Sequence, residues 1–286
     1  MRHAIVRSTS RCLLAGLLLT GLGGCAALDA LNLQKPTARV VGVRLEDIDI
    51  QALTLAFDIE LENPYSVPLP LTNLDYALAS KGEPFLSGEA PLQGTVPARG
   101  AKTLSLPTKV TFKRLLSVLT GVKPGAVVPY NAELGLSVDA PAIGPLRLPL
   151  KKEGKLPVPA PPEVSVQQVK WDKLSLDSAG GTVRLDVVNR NAFPVEMAKL
   201  AYGLTLGDVE VANASVAKPL AFAANGGAGA IEIPISLSPR KLGLAAFRML
   251  TGKGASYKLA GDMNVATPFG PMKLPVRKTG KTSFTK

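Results

Sequence analysis

The sequence predicts a mainly β protein made by duplication: two tandem antiparallel β domains, each carrying one short α-helix. Three observations lead there. Leu53, Leu55, Phe57, Ile59 and Leu61 alternate with Thr54, Ala56, Asp58 and Glu60, the period of a strand with one dry and one wet face, which belongs in an antiparallel sheet. One pattern occurs twice at a fixed spacing. Asn63 and Asn189, Pro68 and Pro194, Leu74 and Leu200, and Tyr76 and Tyr202 each stand 126 residues apart, as independent matches do when a domain has been copied. Composition is the third: 46% hydrophobic but only 5% aromatic, with 27 Gly and 24 Pro, describes a folded chain rich in turns. At 286 residues there is room for two domains, each with a core of its own.

Residues 1–24 read as an export signal. Arg2, Arg7 and Arg11 make a basic start, and Cys12 to Leu22 is an apolar run too short to cross a bilayer as a helix. The run ends in Leu22-Gly23-Gly24-Cys25, which resembles the lipobox of bacterial lipoproteins. The resemblance implies cleavage before Cys25 and lipidation of that cysteine. Gly23 departs from the pattern, which more often has Ala, Ser or Thr there. Ala26 follows where lipoproteins of the inner membrane often carry Asp. A lipid-anchored envelope protein is therefore implied, on the inner leaflet of the outer membrane and facing the periplasm. Residues 25–36 then form a tether.

Cleavage would remove His3, the single histidine, together with Cys12, leaving Cys25 as the single cysteine. That excludes histidine-dependent catalytic triads, histidine or cysteine-rich metal sites and internal disulfides, so no metal and no cofactor are expected. The formal charge of +11 falls to +8 with the loss of Arg2, Arg7 and Arg11, and such a balance favours anionic surfaces. Nucleic acid is not an expected partner, because the chain is exported and offers few aromatics for stacking.

The first domain spans 37–157. Asn63-Pro64 stops its clearest strand, since proline has no N–H for a ladder and asparagine starts turns. A second alternating run follows over Leu74–Leu78, and short strands are expected near 85–86, 104–106, 132–138 and 146–150. Phe112, Leu115, Leu116 and Leu119 fall at helical spacing ahead of Gly121, which predicts one amphipathic helix. Pro157, Pro159, Pro161 and Pro162 lie in or beside a stiff joint, 158–162. The second domain spans 163–286. Val183, Leu185 and Val187 repeat the first strand, and Ser238-Pro239 predicts an N-cap and N1 proline for a helix running to Leu250. Both domains close on basic tails, Lys151, Lys152 and Lys155 in the first and Arg277, Lys278 and Lys281 in the second.

This arrangement of alternating strands, an Asn-Pro-rich turn, a Leu-x-Tyr-x-Leu strand and one helix before two closing strands resembles the WHy domain. That domain, named for water stress and hypersensitive response, defines the late-embryogenesis-abundant (LEA) type 2 proteins. Their motif is commonly Asn-Pro-Asn with a following Pro. The first copy keeps Asn63, Pro64 and Pro68 but has Tyr65 in third place; the second keeps Asn189, Asn191 and Pro194 but has Arg190 in second. The resemblance implies fibronectin-III or immunoglobulin-like β-sandwiches, which need about seven strands each. It also implies a non-enzymatic role in protecting proteins or membranes during desiccation, freezing or other water stress.

Each candidate site has a plainer reading beside it. The asparagines could hold a ligand through their amides, although turn chemistry accounts for them. The six basic residues named above could meet anionic lipid, where each charge contributes about 1 kcal/mol, or they could form a solvated face. The helices could border a lipid-sized cleft or plug the end of a sandwich. Asp58, Glu60 and Asp186 fall on wet strand faces, and no pair of carboxylates is placed at a shared site. Three roles remain open: protection of labile client proteins, lipid binding or transfer in the envelope, and structural adaptor in the periplasm.

Overall fold

The alternating run becomes the central strand of a sheet. β2 (Ala52–Glu62) lies between β1 (Thr37–Glu46) and β6 (Ala101–Thr111), antiparallel to both. Leu53, Leu55, Phe57, Ile59 and Leu61 are all at most 1% exposed, so the face read as dry is the core face. The computed structural model describes residues 34–141 and 143–285. The expected signal peptide, Cys25 and most of the 25–36 tether lie outside those residues. Of the two units into which the chain divides, 1–36 and 37–286, the second holds the secondary structure described here.

A second sheet completes the first half. It orders β4 (Glu83–Pro91), β3 (Leu69–Ser80), β7 (Val127–Ala140) and β8 (Gly144–Pro157), with β5 (Thr95–Val96) also against β3. The two sheets share a core in which Phe57 meets Tyr130 edge to face, their centroids 6.5 Å apart. Burial pushes the Tyr130 phenol pKa above its ordinary value.

The second half repeats this programme strand for strand. It comprises β9 (Glu163–Leu174), β10 (Ala179–Val188), β11 (Val195–Leu206), β12 (Val209–Val216), β13 (Leu220–Phe222), β14 (Ala228–Leu237), β15 (Gly254–Ala266) and β16 (Met272–Thr285). β11 begins and ends 126 residues after β3. The antiparallel pairings also correspond: β2 with β6 as β10 with β14, β3 with β7 as β11 with β15, and β7 with β8 as β15 with β16.

Four expectations need correction. The strands are longer than the short runs expected, β7 and β8 reaching 14 residues each. The helix of the first half, α1 (Phe112–Val118), ends at Leu119 before reaching Gly121. The second half has two short helices where one was expected, α2 (Pro239–Leu242) and α3 (Leu244–Leu250). Gly243 at φ 90°, ψ 166° breaks them apart, a conformation outside the helical region. Pro239 does occupy the first turn of α2, but the Ser238 side chain makes no capping hydrogen bond.

The fourth correction concerns how the sheets close. In the second half β16 adds a parallel pairing to β9, Ser283 opposite Gln168 and Thr285 opposite Lys170, so the strands form one sheet in the order β12-β11-β15-β16-β9-β10-β14. The matching positions of the first half, 126 residues earlier, are Pro157, Val158 and Pro159. Two prolines in three residues lack the N–H that a ladder needs, and the first half stays as separate sheets.

This closure buries the single tryptophan. Trp171 is 4% exposed and meets Phe284 edge to face at 5.9 Å. Phe284 is only half-buried, so Phe284→Ala is expected to cost about 2 kcal/mol, less than a fully buried aromatic. Its fluorescence should shift to the red as water reaches the indole. Unchanged emission and stability would contradict the closure.

Candidate functional site

Asn63 follows directly on β2, and its amide is bonded throughout. Its Oδ1 accepts the Tyr65 N–H at 2.9 Å, while Nδ2 donates to the carbonyls of Val67, Val96 and Pro97 at 2.9, 3.2 and 3.0 Å. Its backbone N–H bonds the Gly100 carbonyl at 2.8 Å. One buried side chain thus ties its own turn to the β5 segment and the loop before β6. Pro64 is half-buried and Pro68 exposed, the latter immediately before β3. Burial raises the Tyr65 phenol pKa, and its hydroxyl has no partner among the described residues.

Asn189 occupies the same place after β10. Its Nδ2 donates to the carbonyls of Phe193 and Ala223 at 2.8 and 3.0 Å; its Oδ1 accepts the N–H and the Nδ2 of Asn191 at 3.0 and 2.9 Å. Asn191 then reaches across to the joint. Its Oδ1 accepts the Ala160 N–H at 2.8 Å and its Nδ2 donates to the Ala160 carbonyl at 3.2 Å, as a neighbouring strand would. Arg190, standing where the first copy has Pro64, makes an ion pair with Glu163. Pro194 is exposed and precedes β11.

The second copy of the motif is therefore more than a turn. Next to Asn191, the Ala192 N–H donates to the Gly125 carbonyl at 2.7 Å, and the Gly125 N–H donates to the Val158 carbonyl at 2.6 Å. A loop of the first half, the joint and the second motif are hydrogen-bonded as one junction. Val158 and Ala160 are buried, so the joint is enclosed. Sequence reasoning placed Asn191 in the motif but not in contact with Ala160. A departure between the copies, Tyr65 against Asn191, was the available signal.

In both motifs the amide oxygens and nitrogens are engaged within the fold, which leaves them little capacity for a ligand. Among the described residues there is no group of three His, Cys, Asp or Glu placed to hold a metal ion. No described helix is long and apolar enough to cross a membrane. A surface cleft of about 700 Å³ borders α1, lined by Phe112 and Leu116 but also by Lys113, Arg114 and Ser117. Another of about 650 Å³ lies between the loop at Asp47–Asp49 and the strands carrying Asn264 and Lys273.

The basic tails fall on β8 and β16 and differ in their neighbours. Lys151 pairs with Glu133 at 3.1 Å, Lys152 is half-buried and Lys155 is exposed. Arg277, Lys278 and Lys281 are exposed. Upstream on β8, Arg147 grips Asp75 with two hydrogen bonds of 3.0 and 2.5 Å. These bonds hold the Asp75 carboxyl below its ordinary pKa. Lowered in the folded state, Asp75 stabilises the fold above about pH 4 and loses that contribution as pH falls through its folded value. Both side chains are more than a third exposed, which limits the effect to under about 1 kcal/mol. Wild type should exceed Asp75→Asn by that margin at pH 7 in denaturant titrations, and the two should converge near pH 2.

Two segments of the chain, residues 58–154 and 184–280, match the model of a family described as Late embryogenesis abundant protein. The segments begin 126 residues apart and end 126 residues apart. A desiccation protectant protein, a Lea14 homolog of Glycine max, is 31% identical over 128 residues, which cover 45% of this chain and 84% of that protein. Desiccation-related protein PCC27-45 of Craterostigma plantagineum is 34% identical over 128 residues, 45% of this chain and 85% of that one. A solution structure from Arabidopsis thaliana is 24% identical, with a TM-score of 0.38, and the likeness covers 45% of this chain and 85% of that one. Each match takes up about one copy of the repeat.

Proposed function

The chain belongs to the late embryogenesis abundant protein family, and from that premise we propose a water-stress protein that works by binding and shielding, not by catalysis. Two family units, residues 37–157 and 163–286, would each be a fibronectin-like or immunoglobulin-like sandwich variant, joined through 158–162. The observation that carries the reading is the double family match, with one relative named a desiccation protectant at 31% identity and one named desiccation-related at 34%. The fully engaged asparagine amides favour a scaffold over a ligand site. Clients would be labile proteins or membranes whose apolar surfaces become exposed as water is withdrawn.

The unit would act from a membrane anchor. Leu22-Gly23-Gly24-Cys25 supports acylation at Cys25, and Ala26 supports the periplasmic side of the outer membrane. Two experiments in the source cell test this reading. Labelling with a fatty-acid analogue should mark the wild type and leave Cys25→Ser unmarked. Deletion should lower survival after drying and rewetting, and restoration by the wild type should exceed that by Cys25→Ser. Equal survival with and without the gene would remove the support for a protective role; label in both proteins would remove the anchor.

A further inference from the structure

The same sheet face is charged differently in the two halves. In the first, the outer face of β3, β7 and β8 carries Arg147, Lys151 and Lys155 against Asp75, Glu133, Asp139 and Glu153, three cations against four carboxylates. Strand register places Ala201, Ala260, Ala266 and Thr279 where those carboxylates would stand in the second half. The cations are kept there as Lys273, Arg277 and Lys281. Lys258 is added where the first half has Asn131, and Lys199 where it has Asn73. Two acids remain on this face: Asp262, bound to Lys273 at 3.1 Å, and Glu196, opposite Ala266 where β11 begins.

One end of this face meets the first half. Lys273 and Arg277 share a cleft of about 530 Å³ with Asp49, Gln51 and Pro162. The other end is open. Lys258 lies opposite Thr279, which sets it diagonally between Arg277 and Lys281, roughly 7–8 Å from each by backbone spacing. Lys258, Arg277 and Lys281 are exposed and have no ion-pair partner among the described residues. Like charges this close repel one another, and the carboxylates that relieve the first half are missing. The residues between them, Ser256, Ala260, Thr279 and Ser283, are small and exposed. The result is a flat cationic surface with no aromatic ring for base stacking.

We propose that this face of β15 and β16, centred on Lys258, Arg277 and Lys281, docks on the headgroup layer of an anionic lipid bilayer. A fluid layer of negative headgroups conforms to flexible lysines on a flat sheet, and needs neither a groove nor directed hydrogen bonds. The surface is a property of the second half alone. It goes beyond the protective role and does not depend on acylation of Cys25.

Vesicle co-sedimentation with the full chain tests it. The quantity read is the ratio of binding to 2:1 phosphatidylcholine:phosphatidylglycerol vesicles over pure phosphatidylcholine, so that apolar insertion by the N-terminal run cancels. Each cation near the surface contributes about fivefold, so Lys258→Asn with Lys281→Gln should lower the ratio on the order of 20-fold. Lys258→Arg with Lys281→Arg should keep it. Lys151→Gln with Lys155→Gln, at the first-half positions that correspond to Arg277 and Lys281, should change it less than about twofold. Unchanged Trp171 emission verifies that each variant is folded. Equal losses from the two neutralised pairs, or none from the second-half pair, would overturn the assignment. Polyglutamate displacing the protein from vesicles at equal charge would overturn the bilayer in favour of an acidic polypeptide.

Discussion

Asn189→Ala should destabilise the protein by about 3–5 kcal/mol, because several groups, all but the Ala223 carbonyl buried, lose their partners at once, and each buried one costs about 1–3 kcal/mol. The carbonyls of Phe193 and Ala223 lose their donors, and the Asn191 N–H and side-chain amide lose their acceptor. Asn189 is 1% exposed, so water cannot replace the amide without opening the turn. Asn189→Asp is no remedy. It keeps an acceptor for Asn191 but removes both donated bonds and sets a carboxylate against two carbonyls. Pro194→Ala, on an exposed residue of the same motif, should cost less than about 1 kcal/mol. For a chain of this length the Asn189→Ala loss corresponds to a fall in Tm of roughly 6–20 °C. Denaturant titration followed by Trp171 emission measures it, and a loss below 1 kcal/mol would show that the motif does not hold the turn.

Gly125→Ala should be nearly as damaging, through contact at the junction. Gly125 has φ 95°, and an added Cβ would lie 2.4 Å from the Arg190 carbonyl oxygen, a backbone atom that no rotamer change can move. Its N–H and C=O are also the bonds that tie Val158 and Ala192 together. Gly82 supplies the control, with φ 86° and no atom within 4 Å of its added Cβ. Gly82→Ala bears only the backbone strain of about 1–2 kcal/mol, whereas Gly125→Ala adds the clash and should exceed about 3 kcal/mol. Hydrogen exchange reads the junction directly. The Val158 and Ala160 amides, bonded to the Ala126 carbonyl and to Asn191 Oδ1, should exchange more than about 100-fold faster in Gly125→Ala. They should be little altered in Gly82→Ala, and equal exchange in both variants would contradict a fixed junction.

Much of this architecture was legible because strand periodicity and turn chemistry are local. Leu53–Leu61 declares its buried face by alternation, and the 126-residue spacing of Asn63 and Asn189 transfers that reading to β10. Features that depend on which strands meet were not legible. The parallel pairing of β16 with β9 is a long-range contact, and its absence from the first half is intelligible from Pro157 and Pro159 only once the register is known. Asn191 looked like an imperfect motif residue because its partner, Ala160, lies 31 residues earlier in a joint read as a stiff spacer. The basic tails looked equivalent because Glu133, which neutralises Lys151, is on another strand. The break at Gly243 was readable in principle, since a glycine within a short helical pattern marks a weak point.

A fold whose motif residues serve turns and a junction directs attention from chemistry to surfaces. Protection of other molecules during loss of water is tested most directly by the residual activity of a freeze-labile oligomeric enzyme. The enzyme is taken through repeated freezing and thawing with the full chain, or with an equal mass of an unrelated folded protein. Higher activity with this protein than with the comparator is the predicted result. Equal loss of activity in both would contradict a protective function.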